Sequence, residues 1–218
     1  MRAIGEQTAA AYSRCWQNPA QTAVKRFVDV AISLCLLLVL LPFFLVISIA
    51  IKLTSDGPVF YRWKVVGHQG QHFVSYKFRS MVVNAEELKQ SLESRNEMQG
   101  PVFKMTNDPR ITRVGRVLRK YSLDELPQLW SVLIGDMSLV GPRPPLQTEY
   151  VRFTDYQKLK LQVKPGLTCL WQVSGRNDVR DLDEWVKLDL LYVRHWSLAL
   201  DLEIVLRTIP VVFFGKGK

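Results

Sequence analysis

Cysteine and histidine are scarce. Cys15, Cys35 and Cys169 are odd in number and far apart, which argues against a disulfide framework or a cysteine-based zinc site and fits a reducing compartment. His68, His72 and His195 complete no ligand cluster with them. His68 and His72 could share one side of a turn, where surface polarity explains them better than a metal. There is no internal repeat and no low-complexity tract. A second long apolar run is also missing. Hydrophobic residues make up 48% of the 218-residue chain, near the globular average, so this is not a polytopic membrane protein. The length suffices for one domain plus an appendage. Acidic residues are outnumbered, 20 against 29 basic ones, leaving a net charge of +9. That balance suits an anionic partner, whether nucleic acid, lipid head groups or a phosphorylated small molecule.

One apolar run is present. Val30 to Ile51 holds 22 residues without a charge, matching the roughly 20 that cross a bilayer. It begins too late and runs too long for a signal peptide, and no small-x-small cleavage motif follows it. The contest is between a span and a re-entrant hairpin. Pro42, near the middle, removes a backbone hydrogen bond and kinks or breaks the helix. Each half then reaches about 16 Å, half-way through the hydrocarbon core. Arg2, Arg14, Lys25 and Arg26 precede the run, while Lys52, Arg62 and Lys64 follow it. The positive-inside rule therefore draws both ends to the cytoplasm, which favours the hairpin. Against it, a helix broken at mid-bilayer leaves backbone groups in need of partners, and Ser48 is a candidate to supply one. Proline is also common in true spans, so the span stays open.

The remainder reads as a mainly helical α+β domain with one small β-hairpin. Residues 1–23 read as a tail, 24–53 as the membrane segment and 54–218 as the main domain. Thr54 to Pro58 is a turn. Pro58 to Val66 and Gln71 to Phe78 are strands around Gly67-His68-Gln69-Gly70. Helical patterning follows at Asn84 to Arg95, Arg113 to Lys120, Leu126 to Ile134, Gln147 to Gln162, Asp181 to Arg194 and Leu200 to Val212. Two Gly/Pro-rich connectors, Gly135 to Pro145 and Lys164 to Gly175, lie between them. Near the C-terminus, Trp185, Tyr192, Trp196, Phe213 and Phe214 alternate with basic residues. They fit a helix lying in the head-group region and aromatic core packing equally well.

The strongest local signal is Ser122-Leu123-Asp124-Glu125-Leu126-Pro127-Gln128. Pro127 fits a helix best in its first turn, which argues for a cap at Leu123 or Asp124. A capping box from Ser122 to Glu125 would push the proline too far in. Either way Asp124 and Glu125 stand at a helix start, where the dipole favours ionised carboxylates. Such a pair suits a nucleophile and a magnesium ligand, although acidic residues more often start helices for stability alone. Context adds weight. Arg110, Arg113, Arg116, Arg119 and Lys120 crowd the upstream segment, and a stiff Gly141-Pro142-Arg143-Pro144 loop follows. Arginine matches phosphate oxygens and can stabilise phosphoryl transfer.

At this point the sequence resembles the bacterial sugar transferases, the monotopic polyprenyl-phosphate phosphoglycosyl transferases of hexose-1-phosphate type. The resemblance rests on Lys25-Arg26-Phe27-Val28-Asp29, Asp56-Gly57-Pro58-Val59-Phe60, Tyr76 to Met81, Leu123 to Gln128 and Gly135 to Pro144. Lys164 to Thr168 and Trp171 to Asn177 complete it. It implies that Asp124 attacks a UDP-sugar, releases UMP, holds the phosphosugar covalently and passes it to polyprenyl phosphate. It further implies Glu125, with Asp124, as ligand to Mg2+. Arg119 and Arg143 stand at phosphate-binding positions, Arg176 at a nucleotide-associated one, and Lys77, Arg79 and Asp189 in supporting motifs. The implied membrane segment is a re-entrant helix broken at proline; many members have serine before it, where this chain has Leu41. The implied place is the cytoplasmic face of the bacterial inner membrane, with membrane lipids as neighbours and no nucleic acid. Trp171 to Asn177 looks like the enzymes of exopolysaccharide and capsule assembly, suggesting glucose or galactose. The chain reads as the minimal catalytic form, without the extra spanning region of larger members. The competing reading is a membrane-tethered basic module binding nucleic acid or anionic lipid without catalysis, which leaves the acid pair unexplained.

Overall fold

The computed structural model describes residue 16 and residues 18–175 and 181–215. Helix α1 (Pro19–Val39) starts earlier than the apolar run suggests. Asn18 caps it, its side-chain oxygen accepting from the N–H groups of Ala20 and Gln21, and Pro19 occupies the first helical position. Helix α2 (Leu41–Thr54) follows after Leu40, the two axes bent by 60°. The break therefore falls two residues before Pro42, which sits in the first turn of α2. Proline is tolerated there because its missing N–H costs least at a helix start. Ser48 does not heal the break: its hydroxyl donates to Phe44 O at 2.7 Å, within α2. No single described helix is long and apolar enough to cross a bilayer; the bent pair has that length and composition only when taken together.

Strands β1 (Phe60–Val66) and β2 (His72–Phe78) form the expected antiparallel hairpin, Trp63 opposite Ser75. Helix α3 (Ala85–Leu92) is short, and α4 (Arg113–Lys120) is capped by the Thr112 hydroxyl. Gly115 of α4 lies so close to Ser80 that a Cβ there would meet Ser80 O at 1.9 Å; only glycine permits this approach. A 3-10 turn, Leu123–Gln128, leads into α5 (Leu129–Ile134), which Gly135 ends with φ +98°.

Strand β3 (Ser138–Val140) was not foreseen; nor was its parallel partner, described below. The single helix expected over Gln147 to Gln162 is instead α6 (Gln147–Tyr150), α7 (Asp155–Lys158) and a 3-10 turn. Thr154 causes the interruption, because it opens a fresh capping box with Gln157. Then come β4 (Gly166–Thr168), pairing parallel with β3, and α8 (Leu170–Val173). Helices α9 (Leu182–His195) and α10 (Leu198–Phe213), capped by Asp181 and Ser197, close the described chain. The arrangement is α+β, mainly helical, with two small sheets.

The main core gathers Leu129, Val132, Met137, Val140, Val186, Tyr192, Val193 and Ile204. Trp171 and Trp185 stack within it, centroids 4.3 Å apart. A second cluster, Ile47, Ile51, Phe78 and Leu118, seats α2 on β2 and α4. The C-terminal aromatics divide: Trp185, Tyr192 and Trp196 are core residues, whereas Phe213 and Phe214 point outward. Leu202, Leu206, Ile209 and Phe213 are exposed at helical spacing along α10. Trp16, inside the stretch read as a tail, stacks on Trp196 at 4.1 Å.

The first arm is clasped to the domain by polar groups. Lys25, buried, pairs with Asp201 at 2.6 Å and donates to Val140 O. The Asp29 carboxylate accepts the Leu139 N–H at 3.0 Å. Arg26 donates to Val132 O at 2.6 Å and Leu133 O at 2.7 Å, satisfying late carbonyls of α5.

Candidate active site

Asp124 and Glu125 lie near the head of the Leu123–Gln128 turn, with Asp124 buried. The turn differs from the α-helical start read from sequence. The segment has 3-10 rather than α geometry, and Pro127, having no N–H, closes no turn of either kind at its own position. Ser122 makes no side-chain cap and takes a left-handed conformation, φ +54°, uncommon for a residue with a side chain. Regular α-helix begins only at Leu129. The dipole acts mainly within the first turn of a helix, so it reaches the pair more weakly than expected.

Lys77, from β2, comes to this pair. Its Nζ donates to Glu125 Oε1 at 2.8 Å and lies 3.8 Å above the Trp63 ring centre. Ser75, two residues earlier on the same face, bonds to Ser131 of α5 at 2.9 Å. The strand is thus tied to the site turn at Glu125 and again to α5 just beyond it. Arg119, in the last turn of α4, accepts the Ser122 N–H through its carbonyl and stands upstream of the pair. Nearby, Asp108 and Arg110 form a buried pair at 2.6 Å. Burial alone would raise the Asp108 carboxyl; hydrogen bonds and charge from Arg110, helped by Arg119, bring it below the ordinary value.

Arg143 belongs to a second group. Its guanidinium lies 5.9 Å from the Trp185 ring centre, beside a narrow cleft that Glu149, Phe153 and Lys160 also line. Asp189, fully buried on α9, pairs with Lys160 at 2.7 Å. Burial raises the Asp189 carboxyl, while Lys160 and then Arg143, by charge and backbone N–H, oppose the rise. Arg79 is placed elsewhere. Its guanidinium donates to Ser55 O at 2.8 Å, to the Ser55 hydroxyl and to Asp56 O, tying the exit of α2 to the sheet. Arg176 lies outside the described residues.

Lys160, Arg26 and Trp185 escaped the sequence reading as site-supporting residues. Lys160 lies within the Gln147 to Gln162 stretch read as one helix, where nothing in the sequence set it apart from the other charges. Among the described residues no three or more His, Cys, Asp or Glu side chains converge as a metal cage. Two adjacent carboxylates remain a fitting donor set for magnesium that arrives with phosphate oxygens.

The sequence profile of bacterial sugar transferases matches residues 20–215. The chain belongs to this family. Among sugar transferases it is 45% identical over 208 residues to "Galactosyl transferase CpsE" of Streptococcus agalactiae, covering 94% of this chain and 46% of that protein. It is 47% identical over 199 residues to "Undecaprenyl-phosphate galactose phosphotransferase" of Salmonella typhimurium, covering 89% and 41%. It is 42% identical over 218 residues to "Exopolysaccharide production protein ExoY" of Rhizobium meliloti, covering 98% and 93%. The chain thus spans less than half of the first two relatives and nearly all of the third.

Proposed function

We propose that this sugar transferase moves a hexose-1-phosphate from a UDP-sugar to a polyprenyl phosphate at the cytoplasmic face of the bacterial inner membrane. The supporting observation is a buried aspartate beside a lysine-held glutamate, on a turn that packs against a bent apolar helix pair. An Asp124 oxygen attacks the sugar-bearing phosphorus. The bond between that phosphorus and the bridging oxygen breaks, and UMP leaves with the oxygen and the electron pair. The resulting acyl phosphate holds the phosphosugar. An oxygen of the polyprenyl phosphate then attacks the same phosphorus, the bond to Asp124 breaks, and the carboxylate is restored. The product is a polyprenyl diphosphate sugar.

Lys77 orients Glu125, while Arg119, Arg143 and Arg176 bring positive charge to the donor's phosphates. Asp124 and Glu125 would hold Mg2+, which neutralises phosphate charge as the leaving group departs. The names of the Streptococcus and Salmonella relatives make galactose the first sugar to test, with glucose next. Donor alone, incubated with the purified enzyme and magnesium, should release one equivalent of UMP and leave a phosphohexose on the Asp124 peptide by mass spectrometry. An adduct on another side chain, or none, overturns the covalent route.

The bent pair enters and leaves the bilayer on one side in this reading. The exposed apolar stripe of α10 lies at the lipid surface, giving an amphipathic helix a place to bury it. Single cysteines at Gln21 and Lys64, in a chain otherwise free of cysteine, should both react with an impermeant thiol reagent from the cytoplasmic side only. Labelling from opposite sides refutes the hairpin.

A further inference from the structure

An apolar groove of about 220 Å³ opens at the crook of the bent helices. Leu37 from α1, Phe44 from α2, Phe60 and Tyr76 from the hairpin, Pro127 from the site turn and Trp130 from α5 line it. No charged residue lines it. The groove touches both membrane arms and finishes at Pro127, three residues beyond Asp124 on the same turn. Trp130 is half exposed at 50%, and Phe60 at 42%. Large aromatic faces left open beside a reactive carboxylate need an apolar partner to lose their contact with water.

Resting on the transferase reading, we infer that this groove takes the isoprenoid units of the acceptor nearest its phosphate, with Trp130 as the contact that fixes their path. Its position supports this occupant. An acceptor tail anchored in the bilayer must descend between or beside the two arms, and its phosphate must reach the carboxylates. The groove is continuous with both ends of that path. Its size supports a segment only, because pockets that enclose a whole small molecule hold roughly 300–1,000 Å³. The uncharged lining leaves the phosphate outside, towards Asp124 and Lys77. Branched isoprene units fill a wide, irregular aromatic groove better than a straight chain of equal length, since unfilled space forfeits dispersion contacts.

The test compares farnesyl phosphate with a straight-chain alkyl phosphate of the same length as acceptors, scoring lipid-linked sugar. Wild type should prefer the isoprenoid. Trp130→Ala should raise the KM for farnesyl phosphate about tenfold and bring the two acceptors within about twofold of each other. Trp130→Phe should restore most of the preference. Donor-only UMP release reports in each variant whether the site turn is folded. Unchanged acceptor KM and preference in Trp130→Ala would overturn the inference. So would loss of the donor-only burst alongside the acceptor defect, which would assign Trp130 to supporting the turn. Absence of lipid-linked product from wild type with every polyprenyl phosphate would instead remove the transferase reading, and this inference with it.

Discussion

Asp124→Asn should lower kcat for lipid-linked sugar by at least about 10³-fold, the scale of loss when a covalent nucleophile is removed. Asparagine keeps the shape of the side chain, so a buried position at the head of a tight turn is not emptied. What it loses is the anionic oxygen. Its amide is a poor nucleophile and cannot be restored as a leaving carboxylate in the second step. Donor KM should change far less than kcat, because the arginines and Lys77 still meet the phosphates. Glu125→Gln offers the contrast. It keeps the nucleophile and weakens both the Lys77 contact and cation binding, so its loss should be partly recovered by raising magnesium. A mutant Asp124→Asn enzyme working at the wild-type rate would refute the assignment, whatever its stability.

Lys160→Met should be the most destabilising single change, costing about 3–5 kcal/mol in thermal or denaturant unfolding in detergent. Asp189 and Lys160 are both buried, at 0% and 4% exposure. Removing the lysine leaves a carboxylate with no opposite charge at 2.7 Å. Replacing both, as Lys160→Met with Asp189→Leu, should recover much of the loss, because neither charge then has to be desolvated. The pH dependence has a definite sign. The folded-state value of Asp189 already lies above the ordinary one through burial. A group shifted that way contributes stability that is complete below its unfolded value and is lost as pH rises through the folded value. Without Lys160 the shift grows, so the deficit of Lys160→Met should be larger at pH 8 than at pH 5. Because Asp189 also meets the Arg143 backbone, the variant should raise the donor KM as the arginine loop loosens. An equal deficit at both pH values would show that the carboxylate is not the cause.

Local chemistry made part of this molecule legible. The β1–β2 hairpin followed from β-branched and aromatic runs around a glycine-rich turn, and α4 from its helical patterning. The acid pair stood out because it combined with Pro127 and the arginine loop. Strands β3 and β4 could not be read in the same way. Each has three residues inside a Gly/Pro-rich connector, and their pairing joins Ser138 to Gly166 across the chain. Gly166 approaches Gly141 so closely that a Cβ would meet its nitrogen at 2.0 Å, a tertiary fact with no periodic trace. The bend was read two residues late. Pro42 marked it, but proline is tolerated just inside a helix, so the break moved to Leu40. Lys160 and Arg79 show the limit for charged residues: sequence supplies the charge, and only the fold reveals which carbonyl or carboxylate receives it.

The grip of Arg26 on Val132 and Leu133 makes α1 and the helix behind the acid pair parts of one lever. A chain trimmed to start at residue 54 would therefore shed more than its mooring. It would uncover the end of α5, strand Asp201 without its lysine, and release the Leu139 amide in β3, the strand that leads into the arginine loop. Under the proposed membrane seating, a change in bilayer thickness or lateral pressure that tilts the first arm would be transmitted to Asp124.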